Sequence, residues 1–120
     1  MNDVLRGALA SDPTIDITTT GRRSGQPRRI EIWMMVVDDR FFITGTPGPR
    51  DWLANLRAHP ELIVHLDAPE PADIDAVASE VVDEPTRRMV LEHLTTSWYR
   101  GQVPLDELVR TAPMVEVAFR

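Results

Sequence analysis

Ile30-Glu31-Ile32-Trp33-Met34-Met35-Val36-Val37, then Asp38-Asp39-Arg40 and Phe41-Phe42-Ile43-Thr44, is the stretch on which the fold turns. From Trp33 onward its first half is apolar at consecutive positions, the pattern of a strand covered on both faces. Asp38-Asp39 supplies the short polar connection of a hairpin, and the β-branched and aromatic run after it reads as the returning strand. Upstream, Ile15, Ile17 and Thr19 alternate with Asp16, Thr18 and Thr20, the period of a half-buried strand, until Gly21 breaks it. Three strands in succession with short connections make a meander, and residues 30–37 are expected at the centre of its sheet.

Outside the meander the periods change. Residues 3–10 read as a short amphipathic helix that stops at Asp12-Pro13, because the residue before a proline is pushed out of the helical region. Gly45-Thr46-Pro47-Gly48-Pro49 forbids regular structure; Arg50 to Ala58 then forms a helix with Trp52, Leu53 and Leu56 inward, ended by Pro60. Leu62 to Leu66 and Ala72 to Val82 read as strands joined at Pro69-Glu70-Pro71. Asp83 and Pro85 open a helix expected to run to about Trp98. A helical turn over Leu105 to Arg110 precedes a last strand, Met114 to Phe119. Few helices beside a mainly antiparallel sheet make an α+β fold, in one domain spanning residues 1–120.

A chain of 120 residues can bury one core but cannot supply separate cofactor and substrate domains. The absence of cysteine excludes disulfide frameworks, thiolate metal sites and cysteine nucleophiles. No window reaches the roughly 18 apolar residues of a membrane span, so a cytoplasmic protein without an integral membrane segment is expected. His59, His65 and His93 have no close-spaced partners, which points to no metal; they read as a helix terminus, a strand face and a helix surface. Neither a Gly-x-Ser-x-Gly elbow nor a Walker or Rossmann glycine pattern is present. That suits an enzyme whose cofactor carries the reaction.

The formal net charge of -6 opposes binding to nucleic acid or an anionic surface. All thirteen cations are arginine, however, and Arg22, Arg23, Arg28 and Arg29 fall within eight residues that hold no acid. The segment Thr18 to Arg29 joins guanidinium forks to Gly21 and Gly25, which let backbone N–H groups approach an anion. It reads either as an anion cradle or as a solvated hairpin loop whose arginines protect a sheet edge. The segment Thr44 to Trp52 leads from a strand into a helix N-terminus, where free N–H groups and the helix dipole suit a ring carbonyl or a phosphate and Trp52 offers a flat wall. Its other reading is an ordinary loop, with Asp51 as a first-turn acid and Trp52 as core.

Together, Thr-Thr-Thr-Gly-Arg-Arg-Ser-Gly-Gln-Pro-Arg-Arg at 18–29 and Gly-Thr-Pro-Gly-Pro-Arg-Asp-Trp-Leu-Ala-Asn-Leu-Arg-Ala-His-Pro at 45–60 resemble the two signature segments of the deazaflavin-dependent nitroreductase and quinone reductase family. The resemblance implies a split β-barrel related to the flavin-mononucleotide-binding oxidases. It implies hydride transfer from reduced coenzyme F420, with flavin mononucleotide as the alternative, to a small-molecule acceptor: a quinone, a nitroaromatic or an activated alkene. By the same resemblance Arg22, Arg23, Ser24 and Arg28 hold the coenzyme's phosphate and acidic tail. Thr44, Gly45, Thr46 and Pro47 lie along its ring, with Asp51 and Trp52 beside them. Tyr99 falls near the substrate-side tyrosines of relatives and is the candidate catalytic residue. Asn55 and Arg57 match the family pattern and read as helix braces. Pro47 departs from members with a Ser-Lys-Gly-Gly-like loop and removes one N–H donor to the ring. The resemblance leaves room for a homodimer. The rival reading is a non-catalytic split-barrel binder of flavin, haem or fatty acid.

Overall fold

The computed structural model describes residues 2–67, 71–93 and 97–120. In chain order the elements are α1 (Asn2–Ser11), β1 (Thr14–Thr20), β2 (Pro27–Val37), β3 (Arg40–Thr44), α2 (Asp51–Ala58), β4 (Glu61–Leu66), β5 (Ala72–Glu80), α3 (Glu84–Glu92), α4 (Ser97–Arg100), α5 (Leu105–Thr111) and β6 (Met114–Phe119). The strands close into an antiparallel barrel in the order β1-β2-β3-β6-β5-β4, with β4 returning to β1. Closure removes both sheet edges, so no strand is the sheet's centre, β2 included.

What the two-sided run of β2 marks is a strand between two cores. Met34 joins a cluster drawn from all six strands, with Ile15, Ile17, Ile43, Val64, Ile74 and Val115, closed by Leu5 and Leu9 of α1 and by Trp52, Leu53 and Leu56 of α2. Its neighbour Met35 points the other way, with Phe42 and Met114, into a second cluster covered by Val90 and Leu91 of α3, Tyr99 of α4 and Leu108 and Val109 of α5. The register explains the division: Met34 pairs with Ile43 and Met35 with Phe42, and successive side chains alternate between faces. The β2–β3 turn is tight because Asp38 and Asp39 both take positive φ, 53° and 59°, as a hairpin matched to strand twist requires.

Three boundaries differ from the sequence reading by two residues or more. β2 begins at Pro27 rather than Ile30, because Arg28 and Arg29 pair with Thr19 and Thr18 even though their side chains are polar and exposed. β5 ends at Glu80 rather than Val82, and Val82 stands 81% exposed. The helix opened by Asp83, whose side chain accepts from Thr86 N–H, ends at Glu92 rather than near Trp98. There His93 N–H turns back to Val90 O, and the guanidinium of Arg100 donates to the freed Leu91 and His93 carbonyls. The expected continuation through 94–96, the Trp98 side chain and most of the Pro69-Glu70-Pro71 connection lie outside what is described.

Two bidentate ion pairs tie the barrel together. Arg40 on β3 grips Glu116 on β6 at 2.8 and 2.9 Å, and Arg57 on α2 grips Glu80 on β5. The guanidinium bonds hold both carboxyls below the ordinary value of 4.5. A carboxyl whose pKa is depressed by folding contributes stability above its unfolded value and loses it as pH falls through the folded one. Thermal melts should therefore decline below pH 4.5, and a Glu80→Gln/Glu116→Gln variant should show a flatter acid limb. The carboxylates are about a third exposed and their arginines more so, so the difference is of order 1 kcal/mol and shrinks in high salt. Equal acid limbs would show that other carboxyls govern acid unfolding.

Candidate functional site

The β1–β2 hairpin is closed by two backbone bonds, Gly21 N–H to Gln26 O at 2.8 Å and Gly25 N–H to Gly21 O at 2.9 Å. Gly25 takes φ +69°, where a side chain strains the backbone. At Gly21 the reason is crowding: a Cβ there would stand 2.6 Å from Ser24 Oγ and 3.3 Å from Gln26 O. That Oγ accepts from Gln26 N–H at 3.1 Å and from Arg28 Nη2 at 3.4 Å, so the serine organises the turn and steadies an arginine on the adjoining strand.

Helix α2 fixes this turn from the side. Asn55, 4% exposed, accepts on one oxygen from Arg22 backbone N–H at 3.0 Å and Arg22 Nη1 at 3.2 Å, while its Nδ2 donates to the Thr19 hydroxyl at 3.2 Å. Arg22 Nη2 also reaches Asp51 Oδ1 at 3.4 Å. The N-terminus of α2 has no side-chain cap, which leaves its first N–H groups and positive dipole end available.

These parts enclose an open cleft of about 310 Å³. Arg22, Arg23, Ser24, Arg28, Asp51 and Trp52 all line it, together with Thr19, Gly21, Ile30 and Asn55. Three arginines against one aspartate make it cationic in an acidic chain. Among the described residues no carboxylate lies within ion-pair distance of Arg23 or Arg28. Polar donors together with the apolar side chains of Ile30 and Trp52 suit an amphipathic anion with a flat portion.

Thr44, Gly45, Thr46, Pro47 and Tyr99 do not line that cleft. Thr44 is buried at the end of β3 and donates its hydroxyl to Pro113 O at 2.6 Å. Arg50 Nη2 binds Thr46 O at 2.7 Å and Oγ1 at 3.0 Å, which leaves the Thr46 hydroxyl proton free to be donated elsewhere. Tyr99, 7% exposed, packs with Trp33 at 6.2 Å between ring centroids and aims its hydroxyl at Thr44 O, 3.5 Å away. Burial raises its pKa above 10.0, with a smaller opposing pull from Arg50. Two neighbourhoods thus meet at the start of α2: an arginine cleft on the Asp51–Trp52 side, and a loop with Tyr99 on the Arg50 side.

Sequence reasoning took Asn55 for a helix brace and gave Arg50 no role. The available signal was Asn55 itself, a residue poorly suited to a helix interior, standing directly before Leu56 of the buried face. The histidines behave as framework. His59 caps the end of α2, and His65 bridges strands, 2.6 Å from Thr18 Oγ1 and 2.7 Å from Asp73 Oδ1. Among the described residues no group of three or more His, Cys, Asp or Glu is placed to hold a metal, and no helix is long and apolar enough to cross a membrane.

The fold is similar to several solved structures. A putative pyridoxamine 5'-phosphate oxidase from Listeria innocua aligns with a TM-score of 0.71 at 15% identity, over 99% of this chain and 93% of that one. An F420-H2 dependent reductase, FDR-A, aligns at 0.62 and 21%, over 89% and 95%. The haem storage protein HutZ from Vibrio cholerae aligns at 0.60 and 14%, over 97% and 87%. At such identities the likeness establishes the split-barrel architecture and not the ligand. The family comparison goes further: residues 2–106, which include both glycine-rich segments and Tyr99, match the F420H(2)-dependent quinone reductase family, and the chain belongs to it.

Proposed function

We propose that the chain transfers a hydride from reduced coenzyme F420 to a small electrophilic acceptor, a quinone, a nitroaromatic or an activated alkene. The observation that carries this reading is the convergence of Arg22, Arg23 and Arg28 with the uncapped start of α2 on one cleft. The donor set fits the coenzyme. The guanidiniums of Arg23 and Arg28, without carboxylate partners among the described residues, and that of Arg22, whose Asp51 pair is long and exposed, match a phosphate and an acidic tail, and the Gly21 turn, which a Cβ would fill, brings backbone close to them.

When bound, the reduced deazaflavin supplies the hydride. The chain's own residues do the rest: Arg22, Arg23 and Arg28 hold the tail, and Ser24 keeps Arg28 in place. Trp52 and Ile30 bound the apolar side, and the backbone from Thr44 to Pro47 sets the position of the ring, with the Thr46 hydroxyl as donor. Tyr99, protonated at neutral pH as an ordinary phenol is and with its anion further disfavoured by burial, can orient the acceptor or give it a proton. Tyr99→Phe should lower turnover and leave coenzyme affinity unchanged; undiminished turnover would remove Tyr99 from the acceptor side.

The deciding experiment titrates the purified chain with coenzyme F420 and, in parallel, flavin mononucleotide, followed by fluorescence quenching, and then supplies a quinone and a nitroaromatic to the reduced complex. Deazaflavin binding with turnover is expected. Binding of flavin mononucleotide alone would place the chain with the flavin oxidases. The rival is a non-catalytic binder of flavin, haem or fatty acid on the same fold, which the haem storage protein HutZ shares. It predicts binding without turnover, and haem has no histidine in the arginine cleft to ligate it. We further infer a cytoplasmic location and a homodimer; a monomer by light scattering in solution would exclude the second.

A further inference from the structure

We infer that the molecule carries a second anion-binding site, on the opposite side of α2 from the arginine cleft, built for a small ligand bearing carboxylate or phosphate oxygens. Helix α2 divides two hollows. Asp51, Trp52 and Asn55 face the first, whereas Arg50 and Arg57 face another of about 450 Å³ that extends to α3 and the end of α5. Four arginines line it, Arg50, Arg57, Arg87 and Arg110, against the single acid Glu80, which leaves a formal +3 in a chain of net -6. Such a cationic hollow, walled by protein, concentrates anions from solution.

Arg87 is the telling residue. It lines the hollow while only 9% exposed. Its Nε donates to Val109 O at 2.6 Å, Nη1 to Val81 O at 2.9 Å and Nη2 to Ala112 O. Those bonds use three of the five N–H donors of a guanidinium. Among the described residues no carboxylate lies within ion-pair distance of it, and Glu80 acts on it only from farther off. Two of its carbonyl partners are at the C-terminal end of α5, whose dipole offers roughly half a negative charge, so much of the buried positive charge stays unneutralised. Buried charges are expensive unless paired, and an anion in the hollow would complete the pairing.

The rim is consistent with this. Arg57 is occupied by Glu80 and Arg50 by Thr46, but Arg110, in the last turn of α5, is exposed and has no carboxylate within ion-pair distance among the described residues. The C-terminal end of α5 accounts for Arg110 and takes two of the Arg87 donors, but its partial negative charge does not balance two guanidiniums. The hollow shares no lining residue with the arginine cleft, although Arg50 on its rim also holds Thr46 of the proposed ring loop.

Isothermal titration with inorganic phosphate and, separately, with succinate tests the site on the chain carrying Arg22→Gln and Arg23→Gln, so that the first cleft contributes little. One ion per chain is expected to bind, and adding Arg110→Gln, which removes only an exposed helix-end charge and so lowers the melting temperature slightly, should weaken it about tenfold or more. Arg110→Lys should restore part of that loss. Binding of phosphate alone assigns a phosphoryl ligand, binding of succinate alone a carboxylate, and binding of both the shared chemistry. Absence of binding by either probe, or an affinity indifferent to Arg110→Gln, overturns the proposal.

Discussion

Replacing Arg22 and Arg23 together by alanine should weaken binding of coenzyme F420 by about 3 to 6 kcal/mol, two to four orders of magnitude in Kd, if each guanidinium makes one charged hydrogen bond and the two losses add. The fold should hardly notice. Arg23 has no carboxylate partner among the described residues, and the Arg22–Asp51 pair is long and solvent-exposed, worth well under about 1 kcal/mol. The backbone bond from Arg22 N–H to Asn55 Oδ1 survives loss of the side chain, so the turn keeps its anchor. Fluorescence titration beside a thermal melt separates the two quantities. A Kd within threefold of wild type at unchanged melting temperature would show that the arginines are surface charge and that the coenzyme, if bound, lies elsewhere.

The barrel was legible because its signals are local. Alternation in residues 15–20, the unbroken apolar run after Trp33 and the two aspartates that turn β2 into β3 specify a meander without long-range information. Ring closure is not local. The pairing of β4 with β1 over Asp16, Ile17 and Thr18 joins segments nearly fifty residues apart, and no period in either strand announces it. The same limit misplaced the start of β2, since Arg28 and Arg29 are strand residues only by virtue of Thr19 and Thr18 opposite them. It misplaced the end of α3 too, where Arg100, from the next element, binds the last carbonyls.

For the site, glycine and arginine spacing marked the Arg22–Arg28 turn, and the resemblance named its ligand. Spacing could not show that Thr44 turns its hydroxyl to Pro113, or that Arg50 occupies Thr46, because the first depends on the pairing of β3 with β6 and the second on which side of α2 Arg50 takes. The helix alternates its allegiance within one turn. Arg50 belongs to one hollow and Asp51 and Trp52 to the other, so a contiguous motif is shared between two surfaces.

Asn55→Ala should destabilise the protein by about 2 to 4 kcal/mol and weaken coenzyme binding with it. The amide is nearly fully buried, and its removal leaves the Thr19 hydroxyl and the Arg22 backbone N–H without their partner. A small cavity adds to the cost, and the Arg22 side chain loses one of its two contacts. Because a stability loss and an affinity loss would then coincide, the alanine variant alone cannot assign a function to Asn55. Asn55→Asp can. A carboxylate of the same shape still accepts from both Arg22 groups, and the Thr19 hydroxyl can reverse its bond and donate. The melting temperature should therefore recover most of the loss. The added negative charge, on a residue that lines the cleft, opposes the anionic tail and ties Arg22 more tightly to the protein, so coenzyme affinity should stay at least about tenfold below wild type. Recovery of both quantities in Asn55→Asp would mean that the cleft does not hold an anion, and would remove the physical basis for placing the coenzyme there.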